Sequence, residues 1–208
     1  VPGLGTPGSK NDKLVSFVDF APTVLALCGI DSPDYIQGQN FLDRNTEHEW
    51  IYGARDRIDE VFDLSRSVRN DRWLLIRNFH PHLGWNQPSV FSDLGEIRRE
   101  ITDYFQGDGP HRPGLPHYAL PHREFYEFYD CEADPENLRN LSLSEEEMSV
   151  EQRNAFKAAI KALHGMARKT KDTGCLPEGI MADLIKKHQM PIADLIQQKK
   201  IDLAAIWQ

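Results

Sequence analysis

Five charges stand in the eight residues 53–60, GARDRIDE. Arg55 and Arg57 carry planar guanidinium forks that match a carboxylate or a sulfate two oxygens at a time. Asp59 and Glu60 are acceptors suited to sugar hydroxyls or an amine. Alternation along residues 50–58 cannot aim all five charges at one face, so two or three are expected to reach any one pocket. The same stretch also reads as a solvated turn of local Arg–Asp pairs, each contributing at most about 1 kcal/mol. His80 and His82, in NFHPHLGW, are the next candidates. Paired histidines can contact an anion or bind a metal. With no third ligand beside them, substrate contact ranks above metal, and an ordinary loop above both. Trp85 is placed to stack on a sugar face or simply to pack. Arg66 and Arg69 read as structural ion-pair residues. His111, His117 and His122 are scattered through a Pro-rich loop and form no constellation. No residue is assigned as catalytic or as a metal ligand.

Composition narrows the chemistry. The 208 residues are 40% hydrophobic and 27% charged, enough to bury a core in one large domain or two small ones. The net charge of −8, without a long basic run, argues against a nucleic-acid surface. An acidic chain still accommodates a local Arg/His cluster that holds an anion. No apolar run approaches the roughly 20 residues that span a bilayer. Cys28, Cys131 and Cys175 are widely spaced and include no C-x-x-C, which speaks against a zinc site or a disulfide framework. Cys28, within PTVLALCGI, reads as a small core residue. The chain starts at Val1, and VPGLGTPG reads as a loop entered from something earlier; the expectation is a piece of a longer chain.

The elements that must position these residues fall into three parts. In residues 1–65, Phe17, Phe20, Val24, Leu25 and Cys28 recur at helical spacing, with Asp19 as N-cap and Gly29 as C-cap. EWIYGA then reads as a short buried strand whose carboxyl end meets the charged stretch, as in α/β folds where sites gather at strand ends. In residues 66–145, SRSVRND and RWLLIRNF read as strands joined at Asn70-Asp71, and EFYEFYD as a third. Between them lie a helix in DLGEIRREITDYF and the loop GDGPHRPGLPHYALPH. This part is a small antiparallel α+β unit. Residues 146–208 are helical. Ser149 and Gln152 suit a capping box, Phe156, Ile160 and Leu163 share one face, and two short helices follow.

KLVSFVDFAPTVLALCGI followed by YIQGQNFL resembles the sulfatase family in the segment after its metal-binding half. The matching positions are Leu14, Val15, Ser16, Asp19, Pro22 and Thr23, then Gly29, Ile30, Gln37 and Gly38. RSVRNDRWLLIRNF is similar to the next landmark, an R-x-V-R followed by a strand. EFYDCEADPENLRNL is similar to the family's E-L-Y-D, D-P and N-L signature at Glu127, Tyr129, Asp130, Asp134, Pro135, Asn140 and Leu141. Phe128 stands for the family's Leu, and Asn137 where Glu is frequent. Asn140-Leu141-Ser142 fits a glycosylation sequon, but it overlaps the N-L landmark and is read as coincidence. The charged stretch and the tail TKDTGCLPEG resemble the heparan N-sulfatase-like branch and its bacterial kin.

The resemblance implies the fold: the end of a mostly parallel sulfatase sheet in residues 1–65, a small C-terminal antiparallel sheet in 66–145, and packed helices in 146–208. It implies hydrolysis of sulfate esters or sulfamates by a formylglycine, assisted by a calcium ion. Both cofactors are expected in an N-terminal half that precedes this chain in the family order. The formylglycine arises in a C/S-x-P-x-R motif, and Cys175-Leu176-Pro177 lacks the Arg. Arg55, Arg57, Asp59, Glu60, His80 and His82 would form part of a pocket rim, with a sulfated carbohydrate or another sulfate ester as partner. Family members imply a periplasmic, secreted or lysosomal location. A phosphatase or phosphodiesterase of the wider alkaline-phosphatase-like superfamily, and a non-catalytic packing module, are the alternatives. A packing module predicts a large exposed apolar face.

Overall fold

The computed structural model describes residues 8–107, 115–174 and 176–202. Its centre is a four-stranded sheet of β1 (Ile51–Arg55), β2 (Ser65–Arg69), β3 (Trp73–Asn78) and β4 (Tyr126–Asp130), in that order. Every neighbouring pair is antiparallel. The β2–β3 hairpin forms where Asn70 stands: its Oδ1 accepts from Trp73 N at 2.6 Å, and its N–H donates to Trp73 O at 3.0 Å. This is the local side-chain turn chemistry for which Asn is preferred.

Alternation divides the sheet into two faces. One cross-strand row is Tyr52, Val68, Leu75 and Phe128. The 21-residue helix α4 (Val150–Thr170) packs there through Phe156, Ala159, Leu163 and Ala167. Phe128 and Leu75 are fully buried, and Phe128 stacks on Trp73 at 5.2 Å. Each such side chain contributes about 1.5–3 kcal/mol by leaving water. The helix starts at the expected capping box, in which Ser149 Oγ accepts from Gln152 N at 3.1 Å and Gln152 Oε1 from Ser149 N at 2.8 Å. Past its end, Asp172 accepts a two-bond fork from Arg66 (2.5 and 3.0 Å) and a bond from Tyr52 (2.8 Å). That knot pins the helix end to β1 and β2.

The strand Ile51–Arg55 does not end a parallel sheet. It pairs with β2, residue for residue from Ile51↔Arg69 to Arg55↔Ser65, and is an edge strand of the antiparallel sheet. Parallel neighbours need a crossover of a dozen or more residues. The chain between β1 and β2 is shorter, and it turns back at Ile58–Val61. The sheet therefore extends across residue 65.

Upstream, a 3-10 turn (Phe17–Asp19) leads into α1 (Phe20–Leu27). Asp19 does not cap α1 by its side chain. It is fully buried and accepts from Ser16 N (2.8 Å), Gln39 N (2.9 Å) and His48 Nε2 (2.9 Å). Thr23 Oγ1 donates to Asp19 O and accepts from Phe41 N. A Cβ at Gly38 would lie 1.9 Å from Val18 O, so only glycine permits this close approach. Cys28 is exposed rather than in the core, because the outer side of α1 has no cover among the described residues. Cys175 and His111 lie outside the described residues.

β3 and β4 are adjacent, yet residues 79–125 separate them. This excursion carries a 3-10 turn (Ser92–Leu94), α2 (Glu96–Gln106) and the short α3 (Leu115–Ala119). The helix α3 lies within the Pro-rich stretch expected to be a loop. After α4 come α5 (Glu178–His188) and α6 (Ile192–Gln197), which close on Leu195 and Ile201.

Candidate substrate-binding site

The charged stretch unfolds its residues in different directions. Arg55 ends β1 on the sheet face opposite α4, in the row Arg55–Ser65–Asn78. Asp56 turns back to Arg66 at 2.9 Å. Ile58 and Val61 exchange backbone hydrogen bonds of 3.1 and 2.9 Å, and Asp59 takes φ 50° between them, a left-handed conformation that Asp tolerates better than most residues. Arg57 and Asp59 are exposed on this hairpin tip. Glu60 accepts from Val90 N and so ties the tip to the β3–β4 excursion. Hydrogen bonds from its own and Val90's backbone hold the Glu60 carboxyl below its usual value. Of the four charged candidates, Arg55 alone lines a described cavity.

A buried polar node sits behind Arg55. Arg123 forks onto Asp63 at 3.1 and 2.5 Å, and both side chains are nearly inaccessible. Its remaining donors reach Leu83 O (2.8 Å) and His80 O (3.3 Å). Arg55 Nε approaches Asp63 Oδ2 at 3.1 Å, but the N–H is not directed at it and makes no hydrogen bond. The contact is therefore Coulombic attraction. Trp85 packs against both cations, with its ring centroid 4.5 Å from Arg123 Cζ and 5.6 Å from Arg55 Cζ. The ring thus packs beside both guanidinium groups. The fork of Arg55 hydrogen-bonds to no described residue.

His80 is held for packing. Its ring lies 4.6 Å from Phe62 and 5.8 Å from His82, and its Nδ1 is buried without a partner among the described residues. Burial, aided by the neighbouring His82, pushes its pKa down and keeps it neutral at pH 7. His82 is exposed. Neither ring lines a described cavity.

Two cavities meet at Trp85. One, about 430 Å³, lies between the end of β1 and α2 and is lined by Arg55, Trp85, Gln87, Ser89, Glu96 and Arg98 among others. The other, about 320 Å³, lies over Leu74 and Ile76 on the sheet. Of the acids on its wall, Glu127 is spoken for: Tyr129 Oη donates at 2.8 Å and Asn78 Nδ2 at 2.6 Å. Burial first, and then Glu127, push the Tyr129 phenol up out of reach of ordinary pH. Three signature residues thus serve the fold. Glu127 accepts these two bonds, Asp130 takes a fork from Arg72 (2.8 to 3.1 Å), and Asn140 bridges Phe128 N (2.9 Å) and Tyr126 O (3.0 Å). Asn140 is buried with its amide engaged, which fits the structural reading of the sequon.

Sequence reasoning missed Asp63, Gln87 and Arg123. A faint signal existed for two of them. Asp63 and Arg123 are charged residues just outside strand-like runs, in VFDLS and PHREF. Nothing local to either names the other, 60 residues away.

No family model matches the chain. Two curated proteins do, each an ulvan-active sulfatase of Formosa agariphila. One is 33% identical over 136 residues, 64% of this chain and 23% of that protein. Over that stretch the chain is similar to sulfatases. The second is 24% identical over 167 residues, 73% of this chain and 29% of that protein. The chain thus spans about a quarter of the length of the curated relatives it matches. Among solved structures, a 2-O GAG sulfatase superposes with a TM-score of 0.50 at 17% identity, covering 79% of this chain and 27% of that one, which is agreement in fold. Neither curated relative is named a heparan N-sulfatase, and the finer branch suggested by the charged stretch stays an expectation.

Proposed function

We propose that this chain is the C-terminal portion of a sulfatase that hydrolyses sulfate esters or sulfamates on a sulfated carbohydrate. The observation that carries the reading is the 33% identity to an ulvan-active sulfatase. Hydrolysis adds water across the S–O or S–N bond and releases sulfate with an alcohol or amine. This chain supplies the wall of the substrate cleft around Arg55 and Trp85 and the structural support behind it. The formylglycine nucleophile and the calcium ion belong to the N-terminal half of the same enzyme. The apolar side of α1 supports the reading, since Phe17, Phe20, Val24 and Leu27 form a face ready to be covered by that half.

The test is sulfate release. The complete enzyme is expected to liberate sulfate from a sulfated oligosaccharide. The 208-residue chain alone is expected to liberate none and to show no formylglycine by mass spectrometry. Turnover by the chain alone would contradict the reading. So would a complete enzyme that cleaves phosphate esters and leaves sulfate esters intact.

A further inference from the structure

The 430 Å³ cavity between β1 and α2 has a property that its outline alone does not reveal. It is lined by two donors that the described residues leave unused. The Arg55 fork is one, steadied by Asp63 at 3.1 Å and by the Trp85 ring, with a third of its side chain exposed. The other is Gln87 Nε2, which is buried and has no partner among the described residues. A buried amide donor without an acceptor costs about 1–3 kcal/mol, so a site that keeps one is suited to a ligand oxygen.

Two of the other polar groups here, Arg98 and Ser89, are engaged. Arg98 donates to Asp93 at 2.8 Å and to Asn86. Ser89 interacts with Glu60. Glu96 is the one carboxylate on the cavity wall, and it is exposed. The cavity's volume lies within the roughly 300–1,000 Å³ of small-ligand sites. A cation whose fork is free, beside an unpaired amide, matches an oxyanion and leaves a neutral hydroxyl underused.

We propose that this cavity is a subsite for an oxyanion carried on a sugar ring, distinct from the group being hydrolysed, with Arg55 as the charge partner and Gln87 as the second donor. It rests on the sulfatase reading only for the expectation that the ligand is a sugar. A sulfate ester and a uronate carboxylate present the same chemistry to this pair. In the enzyme, the subsite selects polyanionic carbohydrate over neutral carbohydrate.

The test is calorimetric titration of the 208-residue chain with glucuronate, glucose 6-sulfate and glucose. At least one anionic sugar is expected to bind 10-fold or more tightly than glucose. Binding of glucuronate alone assigns a carboxylate, and of glucose 6-sulfate alone a sulfate ester. Arg55→Ala and Gln87→Glu are each expected to weaken that binding 10-fold or more. Arg99→Ala removes the same charge from an exposed position of α2 and is expected to change it less than 2-fold. Circular dichroism checks the fold of each variant; if Arg55→Ala unfolds, Gln87→Glu decides, since it leaves the Asp63 node untouched. The proposal is overturned if neither anionic sugar outbinds glucose, or if Gln87→Glu binds as the native chain does. No turnover is needed, so the outcome is independent of the reaction class. A complete enzyme that releases sulfate while this chain ignores anionic sugars refutes only the subsite. A chain that binds them within an enzyme inactive on sulfate esters refutes only the assigned reaction.

Discussion

The helix α1 and the helix α4 both repeat apolar residues at helical spacing, and those residues meet different fates. On α4, Phe156, Ala159, Leu163 and Ala167 are buried against the sheet. On and around α1, Phe17 is 90% exposed, Val24 55% and Phe20 49%. The buried residues of α1 are Pro22 and Thr23, on the side turned to residues 36–48. Apolar association holds the body together, whereas a polar knot on Asp19 holds the arm in place. The difference teaches that an amphipathic period marks a face to be covered without saying what covers it. In α4 the cover is this chain's own sheet.

The largest contrast is expected from a core truncation. Phe128→Ala removes the ring stacked between Trp73 and Phe156 and should destabilise the body by about 3–5 kcal/mol, read from urea denaturation. A loss below 1 kcal/mol would break the claim that the sheet–α4 interface dominates stability.

Next in size is Asp19→Ala. It strips the acceptor from Ser16 N, Gln39 N and His48, and an orphaned buried donor costs about 1–3 kcal/mol. Proteolysis should open residues 16–48 while the urea midpoint of the sheet shifts little. Equal loss in both regions would mean that arm and body unfold as one unit.

A pH series sharpens the comparison from the side of the body. Burial, then Arg77 and Arg168, hold His164 below its usual pKa. A depressed folded pKa gives stability that is full above the unfolded value, about 6.5, and is lost as pH falls through the folded value. Burial pushes Asp172 up, but Arg66, Gly174 N and Tyr52 outweigh it and hold the carboxyl low. Its contribution is full above about 3.9 and is lost below that. Urea midpoints should therefore fall in two stages on acidification. His164→Gln should flatten the first stage and leave the second.

The smallest stability effect belongs to the exposed face. Phe17→Ser with Val24→Ser should change stability by no more than about 0.5 kcal/mol. It should nevertheless reduce binding of a hydrophobic dye. Unchanged dye binding would place the accessible apolar surface elsewhere, for example at Val90, Phe91, Leu94 and Ile97.

What the residues announced in advance was local. The turn at Asn70, the Ser149–Gln152 box and strands β2 to β4 are each decided within a few residues, and the structure has them where the sequence puts them. The partner of β1 was not legible, because a short apolar strand does not encode which edge it joins. Nor was the exposure of Cys28, since a helical period looks the same covered or bare. Of the residues around this candidate site, the sequence singled out Arg55 and Trp85. Asp63, Trp85, Gln87 and Arg123 gather around Arg55 through contacts between β1, the turn before β2 and the β3–β4 excursion. Gly38 shows the reverse case. The family landmark was visible in the sequence, and its cause, the Val18 carbonyl 1.9 Å from any added Cβ, appears only in three dimensions.

The most direct test of the account is amide hydrogen exchange of α1 and α4, in the 208-residue chain and in the complete enzyme proposed for it. Helices that pack into a core exchange slowly, and uncovered ones open cheaply. In the chain alone, Phe20–Leu27 should exchange on the order of 100-fold faster than the middle of α4; in the complete enzyme the two should be comparably protected. An α1 as protected as α4 in the chain alone, or still unprotected in the complete enzyme, would contradict the claim that its apolar face is built to be covered by the rest of a sulfatase.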